Sequence, residues 1–180
     1  MTALMFPDNT VLINFAIINR MDLLEKLANR NGRWCATVAT ECAESGRLPE
    51  LAALDGAGEI FGEPLFPDEA EHQDVRVLRE QLAGPGDLPT QHLGEAETIA
   101  IVVRRQLRCF FVTDDRGAAR LAAQNNIPVA DTWSLLKLVY RATWVDADAL
   151  WGYVLTLGRR ERGAPPGVRD RSSFNKWLSA

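Results

Sequence analysis

Acidic residues recur in this chain where one element ends or the next begins. Asp8 closes the apolar run 2–7, Glu41 follows the run 33–38, Glu95 and Glu97 open the helical pattern of 93–107, and Asp114 and Asp115 close the run 109–113. Carboxylates gathered at one edge repel one another, and a cation relieves the repulsion. Oxygen donors without His or Cys suit a hard ion such as Mg2+ or Mn2+. Beside a phosphodiester, such an ion polarises the phosphate, acidifies water and stabilises the leaving oxygen. The chemistry open to these residues together is metal-assisted phosphodiester hydrolysis. Singly, each acid could as well cap a helix or face water, so the joint placement carries the reading.

The elements that must position these acids follow from the apolar pattern. Residues 2–7 read as a strand that delivers Asp8 to its carboxyl end, and Asn9 or Thr10 can cap the helix that follows. Residues 10–29 read as two helical pieces hinged near Asn19-Arg20. RWCATV (33–38) reads as a second strand, with a helix starting at Thr40-Glu41 that places Glu41 and Glu44 on one face. Seven Gly and Pro residues punctuate 46–67, where a short helix at 49–54 and then an extended segment are expected. Residues 68–83 suit a solvent-facing helix capped by Asp68. Leu93, Ala96, Ile99, Ala100, Val103 and Leu107 keep helical spacing, CFFVT is a strand, 116–125 is a helix, and 127–129 is a brief strand. Asp131 or Thr132 then caps another helix, and a last one covers about 146–158. Alternating strands and helices of this kind make an α/β fold with a parallel sheet, whose carboxyl edge is where ligands bind.

At 180 residues and 47% hydrophobic content, the chain suits one globular unit. A net charge of −4 advertises no nucleic-acid-binding field over the whole surface. The charge is divided, however. Residues 159–180 hold six Lys/Arg against two acids, or +4, which leaves −8 on 1–158. Cys35, Cys42 and Cys109 form no close pair and read as buried thiols. No apolar run reaches the ~18 residues that span a bilayer, and the N-terminus lacks the order of a signal peptide. The cytoplasm of a microbial cell is the expected compartment, with no membrane partner.

PDNTVLINFAIINRMDLLEKL, VATECAES, LGEAETIAIV and FFVTDDRGAARLAAQNNIPVADTWSLL together resemble a PIN domain over roughly residues 3–140. The similarity is greatest to a subgroup of PIN nucleases with a Gly-Glu-Ala-Glu helix, related to toxin ribonucleases of toxin–antitoxin pairs. The resemblance implies a three-layer α/β/α fold with a central parallel sheet over 1–145, followed at 146–180 by a helical C-terminal extension with a basic tail in the same globular unit. It implies a metal-dependent ribonuclease acting on single-stranded RNA with Mg2+ or Mn2+. By position, Asp8, Glu41, Glu97 and Asp115 match the catalytic acids. Asp8, Glu97 and Asp115 would hold the metal, with Asp114 and Glu95 as alternative ligands, and Glu41 would bind through water or orient the attacking water. Spacing favours Glu97 over Glu95 and Asp115 over Asp114. Asn9 and Thr113 would support the ligands by hydrogen bonds, or serve only as strand-end and capping residues. Two departures stand out: Asn9 precedes Thr10 where the family places a small hydroxyl residue directly after the first acid, and the third acid is Glu rather than Asp. An antitoxin partner and a homodimer are further family expectations, the latter with slight support from exposed-looking tryptophans such as Trp144 and Trp151.

RNA requires positive charge near the acids. Arg116 directly follows the aspartates, and Arg120 lies one turn on. Arg104, Arg105 and Arg108 read as a solvated face. Phe174 and Trp177 could stack on bases, but a short terminal helix packed against the body is the favoured reading. A phosphotransferase with an Asp nucleophile would want a second Asp at position 10, where Thr10 stands, and Lys26, Lys137 and Lys176 do not suit a receiver domain. The alternative from a different class is a non-catalytic PIN-like module that binds RNA or protein.

Overall fold

The computed structural model describes residues 3–180; Met1 and Thr2, and with them the start of the expected first strand, lie outside the described residues. Three short strands, β1 (Leu4–Pro7), β2 (Cys109–Val112) and β3 (Val129–Ala130), form a parallel sheet in the order β1-β2-β3. Leu4 to Pro7 lie opposite Cys109 to Val112, and Phe111 and Val112 lie opposite Val129 and Ala130. Side chains alternate across a strand, and here both faces are buried. Met5 and Val112 enter the larger core with helices α1 (Asn9–Ile17), α2 (Met21–Ala28) and α3 (Ala36–Gly46). Phe6 and Phe111 enter the other core, with α6 (Leu93–Arg104) and α7 (Arg116–Gln124). Helices on both faces of a parallel sheet make the expected α/β architecture.

The 10–29 segment divides into α1 and α2 with Asn19 in the left-handed conformation at φ 52°. The stretch 33–38 departs from expectation. It is not a strand: Gly32 and Cys35 make only isolated parallel bridges, to Met5 and Leu65, and α3 begins at Ala36 rather than at Thr40. Local β propensity is overridden there because the first turn of α3 has a carboxylate acceptor waiting for its N–H groups, described below. The segment after the 3-10 helix Pro49–Gly56 is also helical, as α4 (Ala57–Phe61), rather than extended. The third strand falls at 129–130 instead of 127–129.

Helix α5 (Glu69–Leu82) starts in a reciprocal cap, in which Asp68 accepts from the Glu71 N–H and Glu71 accepts from the Asp68 N–H. The buried Glu71 also takes a two-pronged bond from Arg105 at 2.7 and 2.8 Å, which ties α5 to the end of α6 and holds the Glu71 carboxyl below its usual range. Arg104 pairs with Asp74. Beyond α8 (Thr132–Arg141) come α9 (Ala147–Arg159) and α10 (Arg171–Ser179), which bury Leu150, Val154, Leu157, Phe174 and Leu178 in the larger core. Phe174 is fully buried and stacks between Trp151 and Trp177, with centroids 5.0 and 5.9 Å away. These aromatic rings therefore pack the terminal helix rather than await bases. Among the described residues no helix is long and apolar enough to cross a membrane.

Candidate active site

The sheet places Asp8. Its N–H donates to the Val112 carbonyl at 2.8 Å, which extends the β1–β2 ladder by one rung and sets Asp8 at the carboxyl edge. Asp8 itself, not Asn9 or Thr10, stands at the N-cap of α1, yet its side chain does not cap. The carboxylate instead accepts from the Thr10 hydroxyl and, at 3.4 Å, from the Thr113 hydroxyl. Only 3% of Asp8 is exposed. Burial first, and then the negative charge of Glu95, push its carboxyl from 3.8 up to about 6.

Glu41 reaches the same region from the second turn of α3. Burial, then Asp8 and Glu95, push it from 4.5 up to about 7. The approach of α6 to α3 depends on Gly94, since a β-carbon there would lie 2.9 Å from Val38 Cγ2 and 3.3 Å from Glu41 Oε2. Val38 is buried and cannot swing away freely. Gly94→Ala is thus expected to destabilise the protein by about 1–3 kcal/mol through overpacking and to displace the Glu41 carboxylate. A urea midpoint matching the wild type would remove this packing role from Gly94.

The two acids of α6 part company. Glu97 accepts from the Thr37 N–H at 3.0 Å and the Thr37 hydroxyl at 2.7 Å, so its carboxylate closes the N-terminus of α3, where negative charge is favoured. Glu95 adds to the effect of burial on both Asp8 and Glu41, and its own polar neighbour is His92, 3.6 Å away. Asp8, Glu41 and Glu95 thus feel one another's charge, while Glu97, which also bears on Glu41, is bonded to the start of α3. The aspartates divide similarly. Asp115 caps α7, accepting from the Ala118 N–H at 2.6 Å, while its own N–H donates to Thr113 Oγ1 at 3.1 Å. Asp114 accepts from the Thr132 N–H at 2.8 Å, the Thr132 hydroxyl at 2.6 Å and Asn14 Nδ2 at 2.7 Å. Both aspartates are thus engaged at a helix start, Asp115 at α7 and Asp114 at the first N–H of α8. The Asn9 side chain donates to Ser45 Oγ at 3.1 Å rather than to an acid.

Asn14 is not singled out by the sequence, and Thr132 only as a possible cap. The available signal was a lone Asn among the apolar residues of α1, since a buried amide must find partners. Asn14 is 1% exposed and also donates to Thr132 Oγ1 at 3.0 Å.

A family model described as a PIN domain matches residues 5–149. The chain belongs to the PIN-domain family. Comparison with curated proteins and with solved structures gave no match. PIN domains are generally nucleases and typically use divalent metals, and the acids of this PIN domain can be tested against such an ion. Among the described residues, Asp8, Glu41 and Glu95 pair with no Lys or Arg. Their donors are all oxygen. Uncompensated and partly or wholly buried, they fit a hard divalent cation. Among the described residues no group of three or more Asp, Glu, His or Cys is placed to hold a metal ion, so the match to a cation is one of charge and donor type alone. A cleft of about 580 Å³ opens at Thr113, Asp114 and Asp115 and is also lined by Arg116, Trp133 and Arg162; Asp8, Glu41 and Glu95 are not in its lining. Arg116 is exposed at its rim, and Arg120 is exposed one turn further along α7.

Proposed function

We propose that this PIN domain is an endoribonuclease that hydrolyses single-stranded RNA with Mg2+ or Mn2+. The observation that carries the reading is the set Asp8, Glu41 and Glu95, buried or partly buried and without a Lys or Arg partner, with Asp8 at the carboxyl edge of the sheet. Those three would hold the cation, with Asp114 at the side of the cleft. A divalent cation, when bound, supplies charge neutralisation and polarises a phosphate oxygen. The protein supplies the rest. Thr10 and Thr113 hold Asp8 by hydrogen bonds. Glu41, on α3 beside Asp8 and Glu95, would bind the cation through water or orient the attacking water. Arg116 and Arg120 offer exposed positive charge to the RNA backbone. That no three such side chains among the described residues are placed to hold an ion is the observation that favours the other reading, a PIN-like module that binds RNA or protein without cutting it.

Purified protein is expected to cleave a mixed-sequence single-stranded RNA internally when Mn2+ or Mg2+ is added, and not when EDTA replaces the metal. RNA retention on the protein without cleavage under any metal condition would move the assignment to the binding module. The role as toxin, with an antitoxin partner in the cytoplasm, extends the subgroup resemblance of Gly94-Glu95-Ala96-Glu97. Induced expression is then expected to arrest growth, and Asp8→Asn to relieve the arrest; equal arrest by both forms counts against a toxin that works through this site.

A further inference from the structure

The C-terminal extension reaches into the site through one residue. Helix α9 ends at Arg159, and the chain reverses through Glu161 at φ 57° and Gly163 at φ 87°. The Arg162 N–H, between them, donates back to the Leu157 carbonyl at 3.0 Å. A left-handed Glu is an uncommon and mildly strained choice, and here it turns Arg162 back toward α1. The loop is held from behind by the buried Pro165 and Val168 and by α10. Arg162 lies beyond residue 149, where the family match ends.

Arg162 Nε donates to Asn14 Oδ1 at 2.6 Å, and Nη2 donates to the Thr10 carbonyl at 3.0 Å. Each partner supports a different acid. The Thr10 hydroxyl donates to Asp8, and Asn14 Nδ2 donates to Asp114. The bond to Asn14 also decides which way the amide faces. With its oxygen held by a guanidinium, which can only donate, its nitrogen must point at Asp114 and Thr132. Without Arg162, a buried amide oxygen loses its partner, and a flipped amide would present oxygen to the Asp114 carboxylate. The planar fork suits two acceptors at once, which a lysine ammonium on a flexible stem reproduces poorly.

We propose that Arg162 is a positioning residue of the active site, supplied by the extension to fix the Asn14 amide, and through it Asp114, together with the turn that carries Thr10. This rests on the nuclease reading for its effect on rate, but not for its effect on geometry, and the test separates the two. Full-length wild type, Arg162→Ala, Arg162→Lys and the exposed neighbour Arg160→Ala are compared in two measurements. One is hydrogen exchange at the Thr132 amide, which donates to Asp114. The other is steady-state RNA cleavage with Mn2+. Arg162→Ala is expected to speed Thr132 exchange about tenfold or more while exchange in the buried half of α8 stays unchanged. It is expected to lower kcat by about 10- to 100-fold with little change in KM. Arg162→Lys recovers only part of either, millimolar guanidinium restores part of the Arg162→Ala rate, and Arg160→Ala behaves as wild type. Unchanged Thr132 exchange in Arg162→Ala, or an equal effect from Arg160→Ala, overturns the proposal. If the wild type cleaves no RNA, the nuclease reading fails, and the exchange measurement still decides whether Arg162 orders the site.

Discussion

Asp8→Asn is expected to abolish RNA cleavage and, in the same molecule, to make the metal-free protein more stable at pH 8. The two effects share one cause. Asp8 is nearly inaccessible, faces the charge of Glu95, and is pushed from 3.8 to about 6. Between these values the folded state binds more protons than the unfolded chain, so stability falls as pH rises. Below pH 4 the folded protein bears no cost from Asp8; above pH 6 it bears the whole of it. At about 1.4 kcal/mol per pH unit, that cost is on the order of 3 kcal/mol. Glu41, raised to about 7, extends the same slope to neutral pH, though its half-exposed position screens its share. The wild type without metal is therefore expected to lose stability from pH 4 to pH 7. Saturating Mn2+ restores it, by about 2.7 kcal/mol at a hundredfold excess over Kd. Asn keeps the shape and can still accept from Thr10, but carries no charge. The variant should gain about 1–3 kcal/mol at pH 8, show a flatter pH profile and ignore Mn2+. Its cleavage rate should drop by about 10³-fold or more. Urea melts at several pH values, with and without Mn2+, read the stability half. Equal Mn2+ shifts in both proteins would sink the cation site.

Much of this arrangement is legible in the chain. A short apolar run ended by an acid is a strand edge with a carboxylate on it, as at Phe6-Pro7-Asp8 and Val112-Thr113-Asp114. Asp68 and Glu71 sit at capping-box spacing, and Asn19 marks the break between α1 and α2. What is not legible depends on contacts distant in sequence. RWCATV has the β-branched and aromatic residues of a strand, but Thr37 meets Glu97, sixty residues away, and the chain turns helical. Arg162 and Asn14 are 148 residues apart, and nothing near Arg162 distinguishes it from Arg159 or Arg160. Which member of each acidic pair would face an ion is not legible for a different reason. Spacing from a neighbouring motif locates a turn of helix, not the direction of a side chain.

That last distinction sets up a paired reversal at Glu95 and Glu97. Two residues apart on a helix, they point about 200° away from each other, so only one can face Asp8 while the other faces α3. Glu97→Ala removes the acceptor of the Thr37 N–H and hydroxyl in a nearly buried place, 7% exposed. Loss of a charged cap and an unpaired N–H together are expected to cost about 2–3 kcal/mol of stability. Glu97→Gln, which keeps an acceptor oxygen, should recover part of that. Glu95→Ala removes no hydrogen bond to the backbone and takes away a charge that adds to the effect of burial on Asp8 and Glu41. It should leave the metal-free protein as stable as wild type or more so at pH 8, while lowering metal-dependent cleavage by about 100-fold or more and weakening the Mn2+ shift. Urea midpoints and single-turnover cleavage on the two alanine variants separate the roles. If Glu95→Ala cleaves normally while folded Glu97→Gln is inactive, the carboxylate that faces the cation belongs to Glu97 after all, and the site must be rebuilt around the α3 N-terminus.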